Sequence, residues 1–166
     1  LFETYEDTFL GSSGRRTGKY YAGLDDSAIL RPAFETEISV EVPELPLTAR
    51  GRYEDVSYYT KVAPDYEHPD YFNTNFYGSY GLNDRKITHW RNENAPIQEK
   101  FLLIGESFGN IPFSLMSLCI SSCDEVDMRY FKEDFQDYYT SYDPDTVVIL
   151  ISLESTLSEF TEPYLK

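Results

Sequence analysis

The segment Lys100-Phe-Leu-Leu-Ile-Gly-Glu-Ser-Phe-Gly-Asn110 constrains the fold more than any other part of the chain. Its apolar run ends at Gly105, and proline at position 112 suits the first turn of a helix. The pattern predicts a strand over 101–104, a tight turn, and a helix over 112–121. That geometry lifts Ser107 to the carboxyl end of a parallel strand, where open α/β sheets gather ligands and chemistry. Ser107 is therefore the candidate nucleophile.

The pattern after Glu99 alternates strands and helices. The helix over 112–121 is apolar nearly all round, the mark of a buried element. A short strand follows at 124–128. A helix over 133–139 then carries acids in its first turn, where the dipole favours them, with Phe131, Phe135, Tyr138 and Tyr142 as its inward stripe. Thr146-Val-Val-Ile-Leu-Ile151 is an unbroken run suited to a strand covered on both faces. Short links between these elements predict a three-layer α/β/α parallel sheet in the C-terminal half.

The first half reads differently. Residues 1–94 are rich in Tyr, Gly, Pro, Asp and Thr and show no helical period. Alternation over 37–42 and 52–60 predicts strands, antiparallel in arrangement, while Gly11-Ser-Ser-Gly14, Pro64-Asp65 and His68-Pro-Asp70 are turn chemistry. At 166 residues the default is one domain, with an irregular β-rich part over 1–94 and a parallel α/β part over 95–166.

Charge excludes several classes of partner. The formal net charge is -15, from 14 basic and 29 acidic residues. Nucleic-acid binding needs clustered Lys and Arg, and an anionic membrane surface would repel this chain. No apolar stretch is long enough to span a bilayer. Cys119 and Cys123 read as two buried thiols on the core helix, because no second Cys or His pair stands at metal-site spacing. The acids at 65, 67 and 70 lack EF-hand spacing and read as a solvated loop. Neither a metal nor another cofactor is expected. With 15 Tyr and 11 Phe, segments such as Tyr71-Phe-Asn-Thr-Asn-Phe-Tyr77 and Gly78-Ser-Tyr-Gly81 suit either sugar stacking or core packing.

Asn94-Ala-Pro, the 100–110 segment, Asp124-Glu-Val-Asp-Met-Arg-Tyr-Phe131 and Tyr142-Asp-Pro-Asp-Thr-Val-Val148 together resemble the C-terminal part of the DHHW proteins. Those are bacterial surface proteins related to the alginate O-acetyltransferase group of SGNH-type hydrolases. Phe9-Leu-Gly-Ser-Ser-Gly-Arg-Arg-Thr-Gly18 and Gly23-Leu-Asp-Asp26 resemble the stretch that follows the name-giving motif of that family. The resemblance implies an SGNH-hydrolase-like sheet, a location at the bacterial cell surface, and a polysaccharide or acyl-donor substrate. Two departures stand out. Glu106 precedes the serine where the family carries Asp, and no Asp-x-His-Trp motif, the family's source of catalytic Asp and His, occurs in these 166 residues. The resemblance implies that this motif lies just before Leu1, which would leave this chain inactive or nearly so by itself.

A serine hydroxyl needs a positioned base, and the base needs an orienting group. The histidines present are His68, in a loop, and His89, in Thr88-His-Trp90. His89 is the base available within this chain, with a half-exposed place on a connecting strand as its bland alternative. Backbone N–H groups at Ser107 and Gly109 suit an oxyanion. Asn110 suits either a helix cap or a carbonyl-binding amide. Arg129 and Tyr130 follow the second parallel strand, and the resemblance implies a place for them in the substrate groove, against a simple salt bridge for Arg129. Two function classes follow: a serine esterase or O-acetyltransferase acting on a cell-surface polysaccharide, or a non-catalytic module binding glycan or protein.

Overall fold

The computed structural model describes residues 2–18, 23–58 and 77–153. Among the described residues, eight strands form two sheets. Strands β1 (Phe2–Phe9) and β2 (Asp25–Leu30) make an antiparallel ribbon, joined through helix α1 (Ser12–Thr17). The other six form one sheet in the order β4-β3-β5-β7-β6-β8. They are β3 (Ile38–Val42), β4 (Leu47–Gly51), β5 (Ile87–Arg91), β6 (Ile97–Gly105), β7 (Ile120–Asp127) and β8 (Thr146–Leu150).

This sheet corrects the expected architecture. Its β7-β6-β8 side is parallel as anticipated, but β4, β3 and β5 join it through antiparallel pairings, so the sheet is mixed and strand-rich, not a three-layer parallel one. The pattern of 1–94 predicted antiparallel strands yet gave no sign that they would share a sheet with the second half. Register does this: Val40 lies beside Trp90, and Trp90 beside Cys123, so one apolar row crosses the boundary. Trp90, Tyr53, Phe113, Ile38, Val40 and Leu103 are almost wholly buried on that face. A smaller cluster on the other face holds Leu102, Val126, Ile87, Met128 and Phe131.

Several elements differ from expectation, each for a local reason. Residues 53–56 form helix α2 (Tyr53–Val56) where alternation predicted a strand, because Tyr53 and Val56 bury as an i, i+3 pair with acids in the first turn. The expected turn at 11–14 opens α1. The core helix is α3 (Asn110–Met116), which starts earlier and ends earlier than predicted. Ser114 and Ser117 bond back to the carbonyls of Ile111 and Ser114, and Asn92 caps the Ser117 carbonyl at 2.9 Å. That frees Ile120 to begin β7, four residues before the predicted strand. The cysteines therefore part company: Cys119 is exposed in the turn and Cys123 is buried on β7. Helix α4 (Phe135–Tyr142) is capped by Asp134 and lays Phe135, Tyr138 and Tyr142 on the smaller cluster, as the stripe predicted. Strand β8 lies at the sheet edge, with Ile149 63% exposed, where both faces were expected to be covered.

Candidate active site

Ser107 lies where the sequence places it. Strand β6 ends at Gly105, whose register partners are Asp127 on β7 and Leu150 on β8, and a 3-10 turn over Ser107–Gly109 leads into α3. The turn is held tightly. The Gly109 N–H donates to the Glu106 carbonyl at 2.7 Å, and a Cβ on Gly109 would stand 2.5 Å from the Phe113 ring. Glu106 is buried and accepts the Ser152 N–H at 2.6 Å, tying the turn to the end of β8. The longer acid thus fits without displacing the serine.

The serine is half-buried and opens on a groove of about 500 Å3 lined by Arg16, Tyr77, Asn83, Asp84, Phe108 and Asn110. Its hydroxyl has no hydrogen-bond partner among the described residues. The Tyr77 hydroxyl donates to the Ser107 carbonyl. Phe108 stands 62% exposed beside it.

The loop before β5 supplies the far wall. Gly81, Leu82 and Asn83 all have φ near +60°, a run of left-handed residues that L side chains rarely adopt. Gly81 is required there, since a Cβ would lie 2.4 Å from the Asn110 carbonyl oxygen. This contact presses the loop against the serine turn and presents Asp84 to two partners. Asn110 Nδ2 donates to Asp84 Oδ1 at 2.9 Å, and Arg129 Nη2 pairs with Asp84 Oδ2 at 3.2 Å. Arg129 also grips Asp127 through Nε at 2.9 Å and Nη2, and its guanidinium lies 5.2 Å from the Tyr130 ring centre. These bonds raise the Arg129 pKa further above its ordinary value, so it is a fixed cation.

Asp84 of the groove belongs to an acid cluster with Glu125 and Asp127. Burial pushes the Glu125 carboxyl up to about 8 against a hydrogen bond from Trp90 Nε1 at 3.2 Å, and neighbouring Asp127 and Asp84 add to the rise. Burial likewise raises Asp127, opposed by Arg129. Burial is also the main cause of the raised Tyr77 pKa, with Asp84, Glu125 and Glu106 adding to it.

The structure thus brings together Ser107, Gly109, Asn110 and, through Asp84, Arg129 with Tyr130 alongside. It assigns some of them other work: the Gly109 N–H is spent inside the turn, Asn110 bonds Asp84, and Arg129 forms the salt bridge weighed against substrate contact. His89 is not brought to Ser107. It sits on β5 beside Asp124, in the row of Leu102, and lines a different groove. His68 and residues 71–76 lie outside the described residues. Asp84 was missed as a groove residue, because only the left-handed loop and long-range packing bring it to the serine. Tyr77, read as the end of an aromatic segment suited to sugar stacking or core packing, lines the same groove.

The fold is a mixed, strand-rich sheet with helices, and Ser107 stands at the end of one of its parallel strands. No family profile and no curated protein sequence matches it. Among solved structures it is similar to a DHHW family protein from Eubacterium siraeum DSM 15702, with a TM-score of 0.67 and 15% identity over 96% of this chain and 50% of that one. It is also similar to Bacillus cereus PatB1 with a sulfonyl adduct, with a TM-score of 0.65 and 16% identity over 93% of this chain and 47% of that one. A second PatB1 structure gives a TM-score of 0.59 and 18% identity over 82% and 42% of the two chains. The resemblance to DHHW proteins read from the residues therefore holds at the level of the fold. The chain spans about half the length of these solved structures.

Proposed function

We propose that this chain carries the serine part of an acyl-transfer site, in an esterase or O-acetyltransferase that acts on a bacterial cell-surface polysaccharide. The observation that carries the reading is the position of Ser107: half-buried on a tightly held turn at the end of β6, its hydroxyl without a hydrogen bond among the described residues, facing a groove large enough for an ester. PatB1 has been seen with a sulfonyl adduct, and sulfonyl electrophiles trap activated nucleophiles, which adds support to a reactive serine on this fold.

In the proposed reaction a base takes the Ser107 proton while Oγ attacks the acyl carbonyl. The tetrahedral adduct collapses to an acyl-serine and releases the donor alcohol, which regains a proton from the protonated base. A sugar hydroxyl or water then attacks the acyl-serine and frees Oγ. No imidazole lines the Ser107 groove among the described residues. The reading accordingly draws the Asp/His pair from chain preceding Leu1, as the DHHW resemblance implies. A surface location fits this substrate, and no helix among the described residues is long and apolar enough to cross a membrane. The tie between His89 and Asp124 favours a second reading, a non-catalytic module that keeps the serine turn as scaffold.

The test is turnover of p-nitrophenyl acetate by the 166-residue chain and by a chain extended upstream, each with a Ser107→Ala control. Activity confined to the extended chain and lost in the control supports the split site. Turnover by the short chain through Ser107 makes a base within these residues the next target. Inactivity of both, with no sulfonyl fluoride labelling of Ser107, favours the binding module.

A further inference from the structure

The sheet carries a second groove, of about 270 Å3, lined by Ser39, Glu41, Thr48, His89 and Arg91 together with Val40. Register explains the gathering. Thr48, Glu41, His89 and Asp124 form one row across β4, β3, β5 and β7, and Arg50, Ser39, Arg91 and Ser122 form the next but one. Side chains two apart on a strand share a face, so eight polar groups converge on one surface.

Asp124, the β7 partner of His89 in the first of these rows, is almost fully buried. His89 Nδ1 lies 2.9 Å and Arg91 Nη2 2.7 Å from Asp124 Oδ1, while the Tyr138 hydroxyl donates to Oδ2. Burial alone would raise this carboxyl, but the His89 and Tyr138 contacts and the Arg91 charge outweigh it, so Asp124 is held below the usual range. Yet His89 Nδ1 and Asp124 Oδ1 are both shielded from solvent without an aligned hydrogen bond.

We propose that this face is a second binding site, independent of Ser107, for one ring of a neutral, hydroxyl-rich ligand, the chemistry of a saccharide unit. The lining groups alternate donors and acceptors. Glu41 accepts and Ser39 and Thr48 do both, which matches hydroxyls that also do both. Arg91, whose Nη1 bonds the Trp90 and Cys123 carbonyls and whose Nη2 pairs with Asp124, keeps Nε to donate. Charge selects against the alternatives. The face carries both signs, Glu41 and Asp124 against Arg50 and Arg91, so neither sign dominates it and a neutral ligand suits it. Size agrees: the groove falls below the roughly 300–1,000 Å3 of drug-sized pockets, which leaves room for a single ring. Arg91, which lines the groove, also lies 5.9 Å from the ring centre of Tyr142 on α4.

The test is a 1H–15N NMR titration of the 166-residue chain with glucose and N-acetylglucosamine as probes, and acetate and phosphate as comparisons. The expected result is saturable shifts on β3, β4 and β5 from the sugars, with little response to the anions. Thr48→Ala, an exposed change that leaves the core intact, should weaken binding severalfold. Arg91→Lys should weaken it by about tenfold or more, since a lysine cannot reproduce the guanidinium geometry. Ser107→Ala should leave it unchanged. No saturable shift on these strands, a response to the anions in place of the sugars, or equal affinity in Thr48→Ala and Arg91→Lys would overturn the proposal.

Discussion

The two grooves hold complementary halves of a familiar chemistry. One has a serine on a rigid turn with no imidazole beside it among the described residues. The other has an imidazole set against a buried carboxylate, at a distance from that serine. Strand direction separates them. Strand β5 runs antiparallel to β7, so His89 pairs with Asp124 and lies in the row of Leu102. From that row to Gly105 is about 10 Å of strand, with Ser107 further still. The groove at the parallel end gathers what the strand ends present. The groove on the antiparallel side gathers what the flat face presents.

The sharpest way to break this comparison is to remove each group in turn from an active, upstream-extended chain. Ser107→Ala should lower p-nitrophenyl acetate turnover by about 10^3-fold or more. His89→Gln should leave it within about twofold. A large loss from His89→Gln would unite the grooves and sink the separation.

Next in size is a pH effect specific to the serine side. Glu125 titrates near 8 when folded, above its unfolded value near 4.3, so the folded state holds the extra proton between those values. Its contribution is fully present below about pH 4 and is lost as pH rises through 8. Glu125→Gln should therefore gain stability relative to the parent above pH 8, on the order of a few kcal/mol, read by urea denaturation at pH 6 and 9. Asp124 carries the opposite sign, because its lowered pKa contributes stability that is lost as pH falls. If the Glu125→Gln difference is the same at both pH values, a buried neutral acid is not there.

A smaller effect should come from Asp84→Ala. It strips a partner from buried Asn110 and one of two carboxylates from Arg129, costing about 1–2 kcal/mol. Amide exchange should quicken over the serine turn and stay unchanged on β3 and β4. Exchange that quickens equally in both places would mean the grooves are mechanically coupled.

Sequence reading reached further at the serine than elsewhere, for a physical reason. A four-residue apolar run ended by glycine specifies its own strand and turn, and α4 announces itself by a stripe at helical spacing. Residues 53–56 went the other way, because four residues are too few to tell an i, i+3 pair from an alternating one. The early end of α3 was hidden as well. It depends on Asn92, which meets the helix end only in the folded chain.

Local pattern thus determined the turn that carries Ser107, the parallel path through β6, β7 and β8, and the antiparallel habit of the first half. Tertiary structure alone decided that all these strands share one mixed sheet, that Asp84 closes the serine groove, and that His89 pairs with Asp124. Strand identity is written in neighbours a few residues apart. Register and strand order come from burying the Trp90 row against its partners, and residues far apart in the chain settle that together.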